Sequence, residues 1–368
     1  MATESFVLKV LDVVEETADS RSVVFERPAE QAELFDFKPG QFLTVAVPSD
    51  QTGLAARCYS LSSTPADDAL KITVKRTVDG YASNWICDNL QPGDTLRVLP
   101  PSGIFTPASL DTDLLLFAGG SGITPVISIA KTALAEGSGR VVLLYANRDE
   151  SSVIFAEELR ALAEQHAERL TVVHWLETVQ GLPTPPHMKA FAAHFATYEA
   201  FACGPGPFMK GVIGALKELE FPRDRRHQEK FVSLAGNPFG EVEEVAVAAG
   251  EIYEAEHEAG ETPDSEGASS DPGAPQGPVH VEVELDGQHH TFDDWPADKP
   301  LLDHLLAKGI PAPFSCREGN CSACAFRLLE GEVKMEENDI LDDEDIADGI
   351  RLGCQALPTT DVVKVTYS

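Results

Sequence analysis

Positive charge is scarce in this sequence: its 368 residues hold 28 Lys and Arg against 60 Asp and Glu, a formal net charge of −32. Phosphate backbones are held by clustered Lys and Arg, so the charge argues against nucleic acid as a partner. Long apolar runs are missing too. None approaches the roughly 20 residues that span a bilayer, and Met1-Ala-Thr-Glu-Ser-Phe6 has neither the basic nor the apolar region of a signal peptide. The expectation is a cytoplasmic protein with no membrane partner. Cysteine is sparse and odd in number, seven at positions 58, 87, 203, 316, 321, 324 and 354. That argues against a disulfide framework and for metal or catalytic use.

What is present divides the chain into segments of different texture. Residues 1–110 read as a β domain. Short strands at Phe6–Val10, Ser22–Phe25, Phe42–Val47, Lys71–Lys75 and Thr95–Val98 are punctuated by Pro39-Gly40, Asp79-Gly80 and Pro92-Gly93, the pattern of an antiparallel barrel or sandwich. Over 111–236 strands alternate with helices: Leu114–Phe117, Pro125–Ala135, Val141–Tyr145, Ile154–His166, Leu170–Trp175, Ala200–Cys203 and Phe208–Leu219. Such alternation predicts a parallel α/β sheet covered on both faces. Residues 237–278 read as an acidic flexible linker, since 241–277 contain no Lys or Arg and end in a Ser/Asp/Pro/Gly-rich run. Residues 279–368 form a last compact unit.

The charge is lopsided. Residues 241–368 carry 30 acidic and 7 basic side chains, a balance of −23. An acidic third of this kind suits a partner with a basic docking face; a solvated surface that aids solubility is the plainer reading.

Cys316-Arg-Glu-Gly-Asn-Cys321-Ser-Ala-Cys324, with Cys354 further on, gives C-x4-C-x2-C plus a distant fourth cysteine. This is the plant-type [2Fe–2S] spacing, in which one loop supplies three thiolates. The small residues Gly319, Ser322 and Ala323 let backbone amides approach the sulfurs. A structural zinc site would show paired C-x2-C units instead. Strand Val279–Leu285, turn Asp286-Gly287 and helix Leu301–Ala307 follow the order of an α+β β-grasp ferredoxin, which the segment resembles throughout.

Arg57-Cys58-Tyr59-Ser60 resembles the R-x-Y-S flavin signature of the ferredoxin–NADP reductase superfamily. Alternation along a strand puts Arg57 and Tyr59 on one face. The resemblance implies that Arg57 holds a flavin phosphate, Tyr59 lies against the isoalloxazine and Ser60 hydrogen-bonds near its reactive nitrogen. Taken alone, four residues read equally well as an exposed arginine and a packed tyrosine. Val74-Lys75-Arg76 and the turn from Gly80 to Ser83 extend the likeness to a second flavin contact, and FAD is expected over FMN. Gly120-x-Gly122-x-x-Pro125, with Thr124 inside it, lies between a strand and a helix, where a dinucleotide loop belongs. Its superfamily partner motif stands at Cys203-Gly204-Pro205, with one additional residue before Met209. By resemblance Cys203 lies near the nicotinamide, so Tyr59, Ser60 and Cys203 are the residues expected beside the reacting atoms. Glu229 and Phe231 end this unit where the superfamily places an acid and an aromatic near the flavin. Arg148 and Asp149 follow the second strand of the unit. An acid there favours a free ribose 2′-hydroxyl and an arginine a 2′-phosphate; with both present, NADH is expected over NADPH. Cys58 and Cys87 read as structural thiols.

Three domains in this order resemble the reductases of two-component oxygenases. Nearly the whole chain is similar to the 3-ketosteroid 9α-hydroxylase reductase family, through Arg57–Ser60, Val74–Arg76, Phe117–Ile129, Tyr145–Leu162, Val172–Leu182 and Cys203–Met209. The resemblance implies a monomeric enzyme that passes electrons from NADH through FAD and the cluster to a Rieske-type oxygenase in steroid degradation. A phenylacetyl-CoA epoxidase reductase, or another ring-hydroxylating oxygenase's reductase, is the rival. A redox-sensing flavin and cluster module without steady turnover is the alternative of another class.

Overall fold

A computed structural model describes residues 5–49, 53–78, 80–231, 238–239, 275, 277–285 and 287–367. Most of the segment read as a linker lies outside the described residues, as do Asp79 and Asp286 of the two turns.

The first sheet grows from alternation. β1 (Phe6–Thr17) buries Phe6, Leu8 and Val10 and turns Val7 and Leu11 outward, the period of two that gives a strand one buried face. It is followed by β2 (Ser20–Glu26), β3 (Phe42–Ser49), β4 (Gly53–Ser60), β5 (Ala69–Lys75), the helix α1 (Tyr81–Asn89) and β6 (Thr95–Val98). Every pairing is antiparallel, in the order β4-β3-β6-β1-β2-β5. Leu61, one residue past β4, bridges to Ile72 of β5. The two edge strands therefore meet and the sheet closes as a barrel, which removes the open edges a six-stranded sheet would leave. Phe25, Phe35, Leu43 and Leu70 fill it.

The second sheet is parallel throughout. β7 (Leu114–Gly119), α2 (Ile123–Glu136), β8 (Val141–Asn147), α3 (Ala156–Gln165), β9 (Leu170–Leu176), α4 (Glu177–Gln180), α5 (Pro185–Ala192), β10 (Glu199–Cys203), α6 (Gly206–Glu218) and β11 (Arg226–Glu229) follow in turn. The strands stand in the order β11-β10-β7-β8-β9. Leu114, Leu116 and Ala118 of β7 pack with α2 and α3, while Leu115 and Phe117 pack with α5 and α6. Burial on both faces explains why these strands are apolar runs without alternation. α5 and β11 are absent from the expectations above. Pro-Pro is in general a dipeptide of turns and loops, yet at Pro185-Pro186 proline suits the first turn of a helix, where its missing N–H has no partner to lose. β11 is four residues long and mostly polar.

The third body is α+β. β12 (Val279–Leu285), β13 (Gln288–Trp295), α7 (Leu301–Ala307), β14 (Ala325–Glu330), β15 (Val333–Met335), α8 (Asp343–Ala347), β16 (Ile350–Leu352), β17 (Ala356–Pro358) and β18 (Val362–Thr366) complete the chain. The main sheet runs β13-β12-β18-β14-β16, with β12 and β18 parallel, and α7 buries Leu301, Leu302 and Leu305 against it. Among the described residues, no helix is long and apolar enough to cross a membrane.

Candidate functional site

Cys316, Cys321 and Cys324 lie on the loop between α7 and β14, and Cys354 on the turn between β16 and β17; all four are buried. Left-handed backbone at Arg317 (φ 63°), Gly319 (φ 79°) and Ser322 (φ 54°) curls the loop, at a cost of ~1–2 kcal/mol for each non-glycine residue. The curl turns amides inward. Glu318 and Asn320 N–H donate to Cys316 Sγ at 3.3 and 3.4 Å, Cys316 N–H to Cys321 Sγ at 3.4 Å, and Cys354 N–H to Cys324 Sγ at 3.4 Å. Gln355 Nε2 reaches Cys354 Sγ at 3.6 Å and the Arg317 carbonyl at 2.9 Å. Amide donors trained on the buried sulfurs fit thiolates carrying the negative charge of an iron–sulfur cluster. Among the described residues, no three His, Cys, Asp or Glu side chains are gathered to hold one metal ion; a two-iron cluster divides its four ligands between two centres.

β4 carries the flavin signature. Arg57 and Tyr59 stand opposite Val45 and Leu43 of β3 and share a face, while Ser60 is buried at the strand's end. Arg57 Nη1 donates to the Ala56 carbonyl at 2.7 Å, and burial pushes the Tyr59 phenol well up. Val74 is buried in β5, Lys75 Nζ lies 3.6 Å from Asp19 and Arg76 pairs with Asp88 at 2.5 Å. Gly80 leads into α1, which starts with no side-chain cap and so offers its first-turn amides to an anion. Ser83 Oγ accepts from Thr77 N–H at 3.0 Å and closes that turn.

The two nicotinamide motifs meet backbone to backbone. A Cβ on Gly122 would stand 2.1 Å from the Cys203 carbonyl oxygen, and one on Gly204 would stand 3.0 Å from Gly119 Cα. Gly120 has open space but φ 53°, and its carbonyl accepts from Tyr145 Oη at 3.2 Å. Thr124 is buried and donates to the Ser121 carbonyl at 3.1 Å, so its hydroxyl closes the loop. Pro125 is the third residue of α2. Pro205 precedes α6 directly. At the tip of β8, Asp149 Oδ1 accepts from Ser151 Oγ at 2.7 Å and Ser152 N–H at 2.9 Å, and Asp149 Oδ2 lies 3.0 Å from Arg148 Nε. The Ser151 hydroxyl first, then Arg148 and Ser152, hold its carboxyl well below the usual range.

Cys203 ends β10 with Ala118 of β7 on one side and Glu229 of β11 on the other. Burial raises the Cys203 thiol, with the Glu229 charge adding to it, and burial pushes the Glu229 carboxyl up to about 8. A small cavity of about 20 Å³ brings Glu229 and Phe231 together with Cys58 and Ser60 of β4 and with Asn320 and Cys321 of the cluster loop. Sequence reasoning missed how the cluster loop seats there. Thr44 of β3 and Ser315 share a buried hydrogen bond of 2.5 Å, and Cys58 Sγ lies 3.5 Å from Thr44 Oγ1 and 3.8 Å from Ser315 Oγ. Cys316, Cys321 and Ala323 pack there against Phe42, Ala46 and Ala56. Cys58 is thus an interface thiol, pushed up to about 12 by burial. Strand alternation held the signal: Cys58 between Arg57 and Tyr59 must point to the opposite face of β4.

Three family models match the chain: oxidoreductase FAD-binding domain over residues 7–106, oxidoreductase NAD-binding domain over 116–213, and 2Fe-2S iron-sulfur cluster binding domain over 283–359. The fold is shared with phthalate dioxygenase reductase, described as a modular structure for electron transfer from pyridine nucleotides to [2Fe-2S], at 23% identity, a TM-score of 0.56 and 98% of both chains. Barrel, parallel sheet and cluster domain together define an oxidoreductase of the flavin and iron–sulfur oxygenase-reductase class. The chain is 56% identical over 366 residues, 99% of its length and 97% of the relative's, to the 3-ketosteroid-9-alpha-monooxygenase ferredoxin reductase component of Rhodococcus rhodochrous. It is 30% identical to a component of the 1,2-phenylacetyl-CoA epoxidase of Escherichia coli (strain K12), over 98% of this chain and 97% of that one. The chain belongs to the family of 3-ketosteroid-9-alpha-monooxygenase ferredoxin reductase components.

Proposed function

We propose that this chain, as a cytoplasmic monomer, carries electrons from NADH to a Rieske-type oxygenase that hydroxylates a 3-ketosteroid. In this reading residues 1–110 hold FAD, 111–236 hold the nicotinamide nucleotide and 279–368 hold the cluster. A bound flavin would take a hydride from the nicotinamide and release electrons singly to the cluster. The chain's own residues supply orientation. Arg57 and the first turn of α1 receive the flavin's phosphates, Tyr59 lies against its ring and Ser60 offers a hydroxyl. The crossing of Gly122 and Gly204 leaves the nucleotide a surface of bare backbone. Cys203 and Glu229, side by side and both held neutral near pH 7, border the place of hydride transfer.

The observation that carries this reading is the seating of the cluster loop on the flavin strand, through Thr44, Cys58 and Ser315. NADH is favoured over NADPH because Arg148 already pairs with Asp149, leaving a 2′-phosphate to compete with that carboxylate. The steroid oxygenase is favoured over the epoxidase by the 56% against 30% identity of the two relatives. Reconstitution tests both points. The purified reductase should support 3-ketosteroid hydroxylation with a steroid oxygenase and a higher initial rate with NADH than with equal NADPH. Coupling only to a phenylacetyl-CoA epoxidase would hand the role to the rival.

A further inference from the structure

The acidic edge of the cluster domain faces the nucleotide-binding body across a set of charges. Its helix α8 follows Asp342, and the first turn is fixed from within: Asp342 Oδ1 accepts from the N–H groups of Glu344 and Asp345 at 3.0 and 2.9 Å, and Asp345 Oδ2 accepts from Asp342 N–H at 3.0 Å. Opposite stand Lys217 in the last turn of α6, Arg223, and Arg226 at the start of β11. Lys217 Nζ and Arg226 Nη2 converge on Glu344 at 2.5 and 3.1 Å. Arg223 pairs with Asp345, and its Nε lies 3.8 Å from Asp348. Gln228 Nε2 donates to Asp342 Oδ2 at 3.1 Å and Lys230 Nζ to the Ile340 carbonyl at 3.0 Å.

The arginines are set in place by their own body: Arg226 Nε donates to the Phe221 carbonyl and Arg223 Nη1 to the Arg226 carbonyl, both at 2.8 Å. Pre-positioned guanidinium groups lose less freedom on pairing. Lys217 first, then Arg226, keep the Glu344 carboxyl below its ordinary range. The network is graded in exposure. Arg226 and Asp345 side chains are 10% and 15% exposed, Lys217 and Glu344 42% and 39%. Such a contact holds at low salt and yields to competition, as polar inter-domain surfaces do.

The other side of the same docking covers the cluster loop. Ser315, Cys316 and Ala323 are 1%, 4% and 1% exposed, beneath Phe42 and Ala46 of the barrel. This face of the loop is closed to an external acceptor while it sits there.

We infer that Lys217, Arg223 and Arg226 form a latch that grips α8, holds the cluster loop on the flavin strand for loading, and must open before the cluster can serve an outside acceptor. The inference rests on the proposed reading of the loop contact as the place where the cluster is reduced. Once released, the acids of α8 become available to a basic face on that acceptor, so the latch cations and the acceptor compete for one surface.

The test uses the full holoenzyme, a reversal variant Lys217→Glu/Arg226→Glu, and a rescue variant that adds Glu344→Arg. Small-angle X-ray scattering reports opening without reference to electron flow, and stopped-flow absorbance reports cluster reduction by NADH. The parent should be compact at low salt and expand as salt screens the pairs. The reversal variant should be expanded at low salt, with cluster reduction slowed roughly tenfold and flavin reduction unchanged. The rescue variant should regain the compact form. A reversal variant as compact as the parent, a parent whose size ignores salt, or a rescue that stays open would overturn the latch. An open reversal variant that still reduces its cluster at the parental rate would overturn the loading contact instead.

Discussion

Glu229 is a carboxylic acid where charge is disfavoured. It is 9% exposed beside Cys203, and burial pushes it up to about 8 from an ordinary 4.5. The consequence for stability has a definite sign. Between pH 4.5 and 8 the unfolded chain releases this proton and the native chain keeps it, so the native state binds more protons and stability falls as pH rises through that window. Above pH 8 both states are ionised and the decline levels off. Replacing the acid by its neutral isostere removes the effect. Thermal unfolding of the holoenzyme and its Glu229→Gln variant should therefore diverge with pH. The parent should lose on the order of 3 kcal/mol relative to the variant from pH 5 to pH 8. Parallel curves would mean that Glu229 is ionised in the native protein. The sequence named Glu229 from its place at the end of the reductase unit, but only the pairing of β11 with β10 sets it against Cys203.

At the scale of elements, much was legible where local chemistry and tertiary demand agree. β1 alternates because one face is buried, β7 and β8 up to Asn147 are apolar runs because both faces are, and α7 spans the residues its pattern indicates. α5 was hidden by prolines that look like loop chemistry, and β11 by shortness and polarity; both exist because neighbouring strands and helices give them partners. The cysteines were legible as a cluster loop because their spacing is itself the chemistry. Where that loop docks was not, since contacts between β3 and Ser315 join residues 271 apart in the sequence. That contact can be weighed by a double-mutant cycle. Thr44→Val and Ser315→Ala each remove half of a buried hydrogen bond, and each should slow cluster reduction by NADH severalfold while leaving flavin reduction at its parental rate. The double variant should cost less than the two single changes combined, with a coupling of about 1 kcal/mol. Additive effects would show that the hydroxyls do not act as a pair in seating the loop.

At the scale of the whole molecule, the net charge of −32 acquires a division of labour. Acids of α8 are spent inside the molecule against Lys217, Arg223 and Arg226, whereas Glu336, Glu337, Asp339 and Asp343 remain exposed on the same domain. On the latch inferred above, a cluster loop covered by the barrel and an acceptor that must reach it are reconciled by a domain that leaves its seat while staying tethered. The tether is the acidic segment that joins Phe239, buried against the barrel with Arg97 over its ring, to Val279. Loading needs only the seated position, which a shorter tether can still permit; delivery needs room for the domain and the oxygenase together. Deleting about half of residues 241–275 should therefore leave NADH-driven ferricyanide reduction at its parental rate, because that reaction can draw on the flavin. Electron delivery to the oxygenase should fall severalfold, measured as steroid hydroxylated per NADH consumed. Delivery that survives the deletion undiminished would place the acceptor's access to the cluster in the seated form, and the barrel would then have to be part of the docking surface.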